Sequence, residues 1–319
     1  MHAYLEPAGF FRCLGTVKDK IRQRTLEAYK LETILMKKII ALAVAAVVAA
    51  PAMADMTISA NIETNTTTET GADFAQGGRV AVTVAGSTTM DSGMYAKAQT
   101  GQEFGLDGSR AGVDTYLEIG NSAANVKLGY VRESEIWAQP GDVYVAATAN
   151  TVLYKGGAQR GRNSNNIIAT VMAGPATLQA MVRPDANGDM DSRFTASAAL
   201  GGVNLGAAIE NDAAGAADSE GFVLHADAML GGAALGASYA ENDADTQTYT
   251  ITAGVAGFNL GYIASEAGAV ESDHYYAAYP MADFAGVDGL TATVAVSTGD
   301  INTGAEDVSG ARLRFNYSF

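Results

Sequence analysis

Alternation of apolar and polar residues with a period of two is the feature that most constrains this chain. It recurs from Asp55 to the C terminus, and no stretch in that region has a 3.6-residue period. In residues 78–87, valines stand at every second position from Val80 to Val84. At the other end, apolar residues stand at every second position from Leu313 to Phe319, with arginine, asparagine and serine between them. The pattern predicts an all-β fold.

Sixteen strands are predicted from this alternation. They are 56–63, 78–87, 92–99, 113–120, 124–132, 166–173, 176–184, 191–200, 203–211, 220–229, 232–241, 246–255, 257–265, 273–283, 289–298 and 308–319.

The predicted connections alternate between seven short turns and eight longer ones. The longer ones include 64–77, 100–112, 133–165, 212–219 and 299–307. Short turns at one rim and long loops at the other are typical of outer-membrane barrels, whose short turns face the periplasm. The longest connection, 133–165, is far longer than a hairpin loop of about 2–5 residues, and long ordered loops are usually functional.

Charge and cysteine content exclude several functions. The 319 residues carry a formal net charge of −15 and have no Lys/Arg-rich run, which argues against nucleic-acid binding. Residues 1–54 hold four of the 35 acids and eight of the 20 bases, so residues 55–319 hold 31 acids and 12 bases, a net charge of −19. The only cysteine is Cys13, so disulfides and thiolate metal sites are excluded from residues 55–319.

A secretory signal peptide is predicted at 36–54. It has two lysines, an apolar run from Ile39 to Ala50 and an Ala-Met-Ala cleavage site ending at Ala54. The apolar run is shorter than the roughly 20 residues that a membrane-spanning helix needs. Residues 1–35 are interpreted as an upstream extension from a misassigned start, with a helical pre-segment as the alternative. Residues 55–319 form the predicted barrel domain.

Export and the absence of an apolar spanning segment decide the environment of the strands. In lipid only helices and closed barrels satisfy every backbone polar group, so the sequence predicts a transmembrane antiparallel β-barrel. Aromatic residues near predicted strand ends are candidates for the interfacial girdles of such a barrel: Tyr130, Phe194, Phe222, Tyr239, Tyr249, Tyr262, Tyr275, Phe315 and Phe319.

With its signal peptide, sixteen strands, terminal ARLRFNYSF and longest loop after the fifth strand, the region 55–319 resembles the Gram-negative general porins. The resemblance implies a homotrimer in the outer membrane, contact with its lipid and lipopolysaccharide, and a third external loop folded into the lumen. It also implies that the terminal aromatic strand, with Phe315, Tyr317 and Phe319, is read by the outer-membrane assembly machinery. Two departures stand out: the loop has only Gln139-Pro140-Gly141-Asp142 where enterobacterial porins have a PEFGGD-like sequence, and 265 residues are few, which leaves fourteen strands as an alternative.

Charged residues predict how such a pore would select solutes, because rings of charge at a narrow point set ion preference. The acids of the long loop are Glu133, Glu135 and Asp142, and its bases are Lys155, Arg160 and Arg162. Period-two counting places seven bases on the polar, lumen-facing side of their strands: Arg79, Lys97, Lys127, Arg183, Arg193, Arg312 and Arg314. Opposed acids and bases would create a transverse field at a constriction; the alternative for each base is a solvated wall position. The excess of acids predicts a modest cation preference.

Three other sequence features give weaker indications of function. The segment DANGDMD, from Asp185 to Asp191, resembles part of an oxygen-rich Ca²⁺ loop but lacks the terminal bidentate acid, so a solvated external loop is the preferred interpretation. His225 and His274 are not near a GxSxG-type elbow, which disfavours an outer-membrane hydrolase. Trp137, the single tryptophan, is interpreted as an anchor of the long loop.

The function predicted from these features is passive diffusion of ions and small hydrophilic solutes across the outer membrane, with no enzyme activity and no cofactor. The alternatives are a substrate-specific channel and a structural or adhesive barrel with a plugged lumen. A secreted β-solenoid would show strict short repeats, whereas the hairpins here are uneven.

Overall fold

A computed structural model describes residues 55–71, 73–131, 136, 163–184, 190–212, 219–301 and 308–319. The predicted extension 1–35 and signal peptide 36–54 lie outside these ranges. No helix in the described part is long and apolar enough to cross a membrane.

Sixteen antiparallel strands make up the fold of these residues. They are β1 Asp55–Glu69, β2 Ala75–Thr89, β3 Tyr95–Gly105, β4 in two segments Arg110–Gly112 and Thr115–Gly120, β5 Ala124–Val131, β6 Asn163–Ala173, β7 Ala176–Pro184, β8 Met190–Leu200, β9 Val203–Asp212, β10 Ser219–Leu230, β11 Ala233–Asn242, β12 Thr246–Val255, β13 Phe258–Ala267, β14 Val270–Met281, β15 Leu290–Ile301 and β16 Val308–Ser318. Both segments of β4 pair with β3 and so share one position in the sheet.

The sheet closes on itself because the first strand pairs with the last. The β1–β16 ladder runs from Asn61 opposite Ser318 to Glu69 opposite Gly310. Backbone hydrogen bonds of 2.9 and 3.1 Å between Ala60 and Phe319 extend this closure by one pair. The prediction of a sixteen-stranded antiparallel barrel is therefore confirmed, and the alternative of fourteen strands is wrong.

Strand lengths at one rim differ from the prediction. Most of the segments 64–77 and 100–112, predicted as loops, lie in strands. Residues 64–68 are Thr-Asn-Thr-Thr-Thr, polar on both faces, so they carry no alternation from which a strand could be predicted. They nevertheless continue the ladder to β16 and to β2. The wall therefore extends further at this rim than the apolar pattern does.

Tight turns connect the strands at the rim that holds both ends of residues 55–319. Two of them are the pairs Gly201-Gly202 and Gly231-Gly232, with φ values of 60° and 88° and of 59° and 85°. Two successive positive φ angles are the geometry of a type I′ turn, which matches the twist of the strands it joins. At the opposite rim the longest connection joins β5 to β6.

Side chains alternate between an apolar outer face and a polar inner face. Large apolar side chains on the outer face are exposed: Ile209 by 60%, Leu224 by 49% and Ile251 by 62%. Rings of neighbouring strands meet on this face, as Tyr262 and Tyr275 do at 4.8 Å and Phe258 and Tyr279 do at 4.8 Å. Exposed apolar surface that carries aromatic pairs suits a lipid-facing surface.

Candidate functional site: the inner wall of the barrel

Cross-strand register places all seven bases predicted for the lumen on the inner face. Arg79 lies opposite Glu63, and Lys97 and Lys127 lie on either side of Glu118. The same parity places the other four inward: Arg183, Arg193, Arg312 and Arg314. The structure gathers six of them into three separate groups, and Arg312 lies on β16 opposite Thr67 of β1.

The first group lies where β16, β1, β2 and β3 are neighbours. The Arg79 guanidinium donates to Glu103 Oε2 at 3.0 Å and to Glu63 Oε2 at 3.4 Å. Arg314 Nη1 lies 3.6 Å from the same Glu63 oxygen, and Arg314 Nε donates to Asn65 Oδ1 at 2.6 Å. The side chain of Arg79 is 43% exposed, so this network faces open space in the lumen.

The second group spans β3, β4 and β5. Lys127 Nζ lies 3.5 Å from Glu118 Oε2, and the Tyr95 hydroxyl donates to Glu118 Oε1 at 2.6 Å. The ammonium groups of Lys97 and Lys127 lie 5.6 and 4.6 Å from the centre of the Tyr116 ring. Two cations therefore share one carboxylate and one aromatic face, an arrangement that cation–π attraction stabilises.

The third group lies on β7, β8 and β9. Arg183 forms an ion pair with Asp191, and Arg193 Nη1 lies 3.4 Å from Glu210 Oε2. The Arg193 and Glu210 side chains are 1% and 3% exposed. Because they are buried, these charges are bound into the wall and contribute less to the field in open water.

The segment Asp185–Asp191, which resembles part of a Ca²⁺ loop, has its last carboxylate in this group. Asp191, its last member, is fully buried and engaged by Arg183. Residues 185–189 lie outside the described ranges. No group of three or more His, Cys, Asp or Glu side chains suited to a metal ion occurs among the described residues.

The sequence prediction did not identify the carboxylates of the inner wall. Each of these carboxylates occurs singly in a strand of mixed polarity, so alternation alone did not mark it as a wall residue. Six inner-face carboxylates form hydrogen bonds or ion pairs with their neighbours: Glu63, Glu103, Glu118, Asp191, Glu210 and Asp227. Their signal was cross-strand pairing, which a prediction of strand register would have shown. The seven bases and these six acids, called the wall set, carry a net charge of +1. The other charged residues of 55–319 are 25 acids, which include the inward-facing Asp55 and Glu69, and five bases.

A polar cluster on β9, β10 and β11 includes one of the two histidines. His225 Nε2 lies 2.7 Å from Asp227 Oδ1, and His225 Nδ1 lies 3.2 Å from Ser238 Oγ. Asn204 donates to the second oxygen of Asp227 at 2.7 Å. His274, by contrast, is fully buried on the inner face of β14.

The acids predicted for the constriction, Glu133, Glu135 and Asp142, lie outside the described residues, as does Trp137. Ile136 of the same connection is described. It is 5% exposed and belongs to a buried apolar cluster with Ala208, Val223 and Ala240, which all point inward from β9, β10 and β11.

One carboxylate outside the membrane-spanning strands has a displaced pKa. Asp107 lies in the turn between β3 and β4, where it accepts a 2.9 Å hydrogen bond from the Ser109 amide. The hydrogen bonds from the side chain and amide of Ser109 lower the pKa of the Asp107 carboxyl. Asp107 therefore stays negatively charged at this rim at neutral pH.

A closed sheet with an apolar outer face and a charged inner face defines the class of outer-membrane, multi-pass β-barrels that form channels. The sequence profile of the Gram-negative porins matches residues 41–262. The chain belongs to the Gram-negative porin family. A search of curated proteins by sequence finds no match.

Three solved structures of outer-membrane proteins and porins have the same fold at low sequence identity. The trimer form of OmpT, an outer-membrane protein of Vibrio cholerae, superposes with a TM-score of 0.68 at 12% identity, over 83% of this chain and 99% of that one. An anion-selective porin from Comamonas acidovorans also gives 0.68 at 12% identity, over 83% and 100%. A triple mutant of the Rhodopseudomonas blastica porin gives 0.63 at 15% identity, over 82% and 100%. These likenesses concern the fold alone.

Proposed function

We propose that the barrel is a passive diffusion channel for ions and small hydrophilic solutes, narrowed by the connection 133–165. The observation that carries this proposal is the partly exposed charged wall around Arg79 and Lys127, whose side chains are 43% and 28% exposed. Sixteen strands enclose a lumen too wide for side chains alone to fill. Charged groups that remain exposed inside such a barrel suit a water-filled passage.

Narrowing by the connection 133–165 is supported by Ile136. This residue follows β5, yet it is buried against inward-facing residues of β9, β10 and β11. We infer that Glu133, Glu135 and Asp142 face the bases of the wall across the passage. Such a transverse field would orient dipolar solutes and slow apolar ones.

A modest cation preference follows from where the charges lie. The inner wall set is close to neutral, while the other 25 acids and five bases of residues 55–319 make the remainder strongly acidic. Acids such as Asp107 at a rim attract cations toward the entrance over long distances. A substrate-specific channel is the alternative, with the polar cluster around His225 as the place where a solute would bind.

The chain carries out no covalent chemistry in this proposal. Ser238, His225 and Asp227 bring a hydroxyl, an imidazole and a carboxylate together, as hydrolases do. However, Ser238 lies within the sheet, paired with His225 on one side and Thr250 on the other. The backbone amides of this paired segment therefore take part in the sheet and are not free to stabilise an oxyanion.

Export and assembly follow the domain prediction. Residues 36–54 act as a signal peptide cleaved after Ala54, residues 1–35 are an upstream extension, and 55–319 is the barrel domain. The terminal strand, with Phe315, Tyr317 and Phe319, is the signal for the assembly machinery. Mass spectrometry of the protein from outer membranes tests the cleavage, since a mass that includes residues 36–54 would refute it.

A homotrimer set among outer-membrane lipids and lipopolysaccharide is the proposed assembly. The Vibrio cholerae relative is described in a trimer form, which supports the same state here. Light scattering of the detergent-solubilised protein tests the trimer, and the mass of a single chain would contradict it.

Conductance in a planar lipid bilayer under a salt gradient tests the channel itself. Stepwise openings with a reversal potential of cationic sign are expected. Neutralising Glu133, Glu135 and Asp142 together should weaken that sign. Correctly folded protein with no conductance would exclude the channel and favour a plugged structural barrel.

A further inference from the structure

An apolar patch interrupts the polar inner wall at the middle of three neighbouring strands. Ala208, Val223 and Ala240 lie side by side across β9, β10 and β11, and Gly206 is two residues along from Ala208. Val223 and Ala240 are 0% exposed and Ala208 is 2% exposed. A porin lumen is normally polar because water fills it. These four residues therefore form a socket for something apolar.

The Ile136 side chain packs closely into this socket. Its side chain joins the cluster of Ala208, Val223 and Ala240 and is itself 5% exposed. A Cβ atom built on Gly206 would lie 2.8 Å from Ile136 Cγ2, closer than carbon atoms tolerate. The missing side chain at Gly206 is therefore what makes room for the branched side chain of Ile136.

The socket lies away from the strand at which the connection begins. Sixteen strands about 4.8 Å apart and tilted by about 40° give a circumference of roughly 100 Å and a diameter of roughly 30 Å. Val131 ends β5, and the five residues from there to Ile136 reach at most about 18 Å. On such a circle, strands four to six positions further round lie roughly 21–28 Å from β5, which is more than that reach before side-chain contact is counted. Contact with them therefore carries Ile136 across the lumen and away from the wall next to β5.

From this geometry we propose that Ile136 is the latch of the connection 133–165, and that the socket Gly206, Ala208, Val223 and Ala240 holds it. The latch is a positioning residue: it touches no solute but sets where the loop lies. This inference rests on the proposed function, because a latch affects transport only if the loop narrows the pore. Removing an isoleucine side chain from water favours the loop position in which that side chain is buried.

Cysteine crosslinking tests the contact directly. Residues 55–319 contain no natural cysteine, so two introduced thiols are the only ones in the cleaved barrel. Ile136→Cys combined with Ala240→Cys should join efficiently with a short bismaleimide, detected as a linked peptide after proteolysis. The matched control combines Ile136→Cys with Ala81→Cys, which places the second thiol on the inner face of β2. Equal linkage of both pairs, or linkage of neither in a barrel that conducts, would overturn the latch.

Conductance measurements separate a latch from a residue that only stabilises the barrel. Ile136→Asp places a charge in an apolar socket, and Gly206→Val fills the socket. Both should increase single-channel conductance by roughly 1.5-fold or more and increase open-channel current noise, since the narrowest part of a pore dominates its resistance. Ile136→Val, which keeps the branch, should retain the parent conductance.

The outcomes distinguish the latch from the channel proposal. Parent protein that never conducts contradicts the proposed function itself. Parent protein that conducts, with Ile136→Asp and Gly206→Val unchanged in conductance and noise, contradicts only the latch.

Discussion

Glu118 stands between Lys97 and Lys127 in the register of β3, β4 and β5. It lies 3.5 Å from the Lys127 ammonium group and is 13% exposed. Glutamine at this position keeps the size of the side chain and an oxygen that accepts from the Tyr95 hydroxyl, so Glu118→Gln should leave the barrel folded. We therefore expect Glu118 to affect the electric field in the passage more than the stability of the barrel.

Replacing Glu118 with Gln should shift permeability toward anions, because two lysines then face the lumen without a carboxylate between them. We expect a change of roughly two-fold in the anion-to-cation permeability ratio, measured from the reversal potential under a salt gradient. Lys97→Gln should shift the ratio in the opposite direction. Asp107→Asn, at the exposed rim turn, is the control and should change it less. Shifts of the same sign in both wall variants would refute a local electrostatic role.

Gly261 shows a close approach on the opposite wall. It lies across from Tyr276 on β13 and β14, and a Cβ built on it would lie 1.9 Å from Tyr276 Cζ. The ring of Tyr276 thus covers the glycine, a known device for stabilising glycines in sheets. Tyr276 is 5% exposed, so it has little room to move aside.

Gly261→Ala should therefore destabilise the barrel by about 1–3 kcal/mol, as overpacking does. Urea unfolding of the protein in lipid vesicles, followed by tyrosine fluorescence, measures the change. Gly254→Ala is the matched control, because its Cβ would meet the Ala234 Cβ at 3.3 Å and needs only a small adjustment. Equal losses for both variants would show that the ring does not cause the effect.

At the scale of the strand pair, each tight turn fixes the register in which its two strands pair. The turn between β12 and β13 uses Ala256 and Gly257, with φ values of 51° and 84°. Its counterparts are the Gly-Gly turns at 201–202 and 231–232. Alanine at a left-handed position costs about 1–2 kcal/mol that glycine does not.

Ala256→Gly should consequently stabilise the barrel by about 0.5–1 kcal/mol, after allowing for the larger entropy of glycine in the unfolded chain. Gly201→Ala should have the opposite sign and similar size. Unfolding midpoints in urea compare the two. A loss of stability in Ala256→Gly would mean that contacts of its methyl group outweigh the backbone strain.

Strands could be predicted from sequence where one face meets lipid, because lipid imposes a strict alternation. The predicted segment 203–211 and the observed β9 differ by one residue. Beyond the membrane both faces meet water, so segments such as 64–68 carry no signal and were predicted as loops. The socket for Ile136 was missed for a related reason: Gly206 and Ala208 look like ordinary small residues until three strands are set side by side.

Over the whole molecule, the charge of the inner wall differs from the charge of the remainder. The wall set has seven bases and six acids, whereas the other charged residues of 55–319 are 25 acids and five bases. A cation preference that arises from this remainder depends on long-range attraction. A cation preference that arises from groups touching the permeating ion depends on short-range contact.

Salt concentration separates these two origins. The screening length falls from about 10 Å at 0.1 M to about 3 Å at 1 M, so long-range attraction by rim acids should largely vanish at the higher value. We expect the cation preference, read from reversal potentials at a constant salt ratio, to decline toward unity between these concentrations. The Glu118→Gln shift should persist better, because Glu118 is 13% exposed and lies directly on the passage. A preference that stays constant with salt would assign selectivity to the constriction acids rather than to the rim.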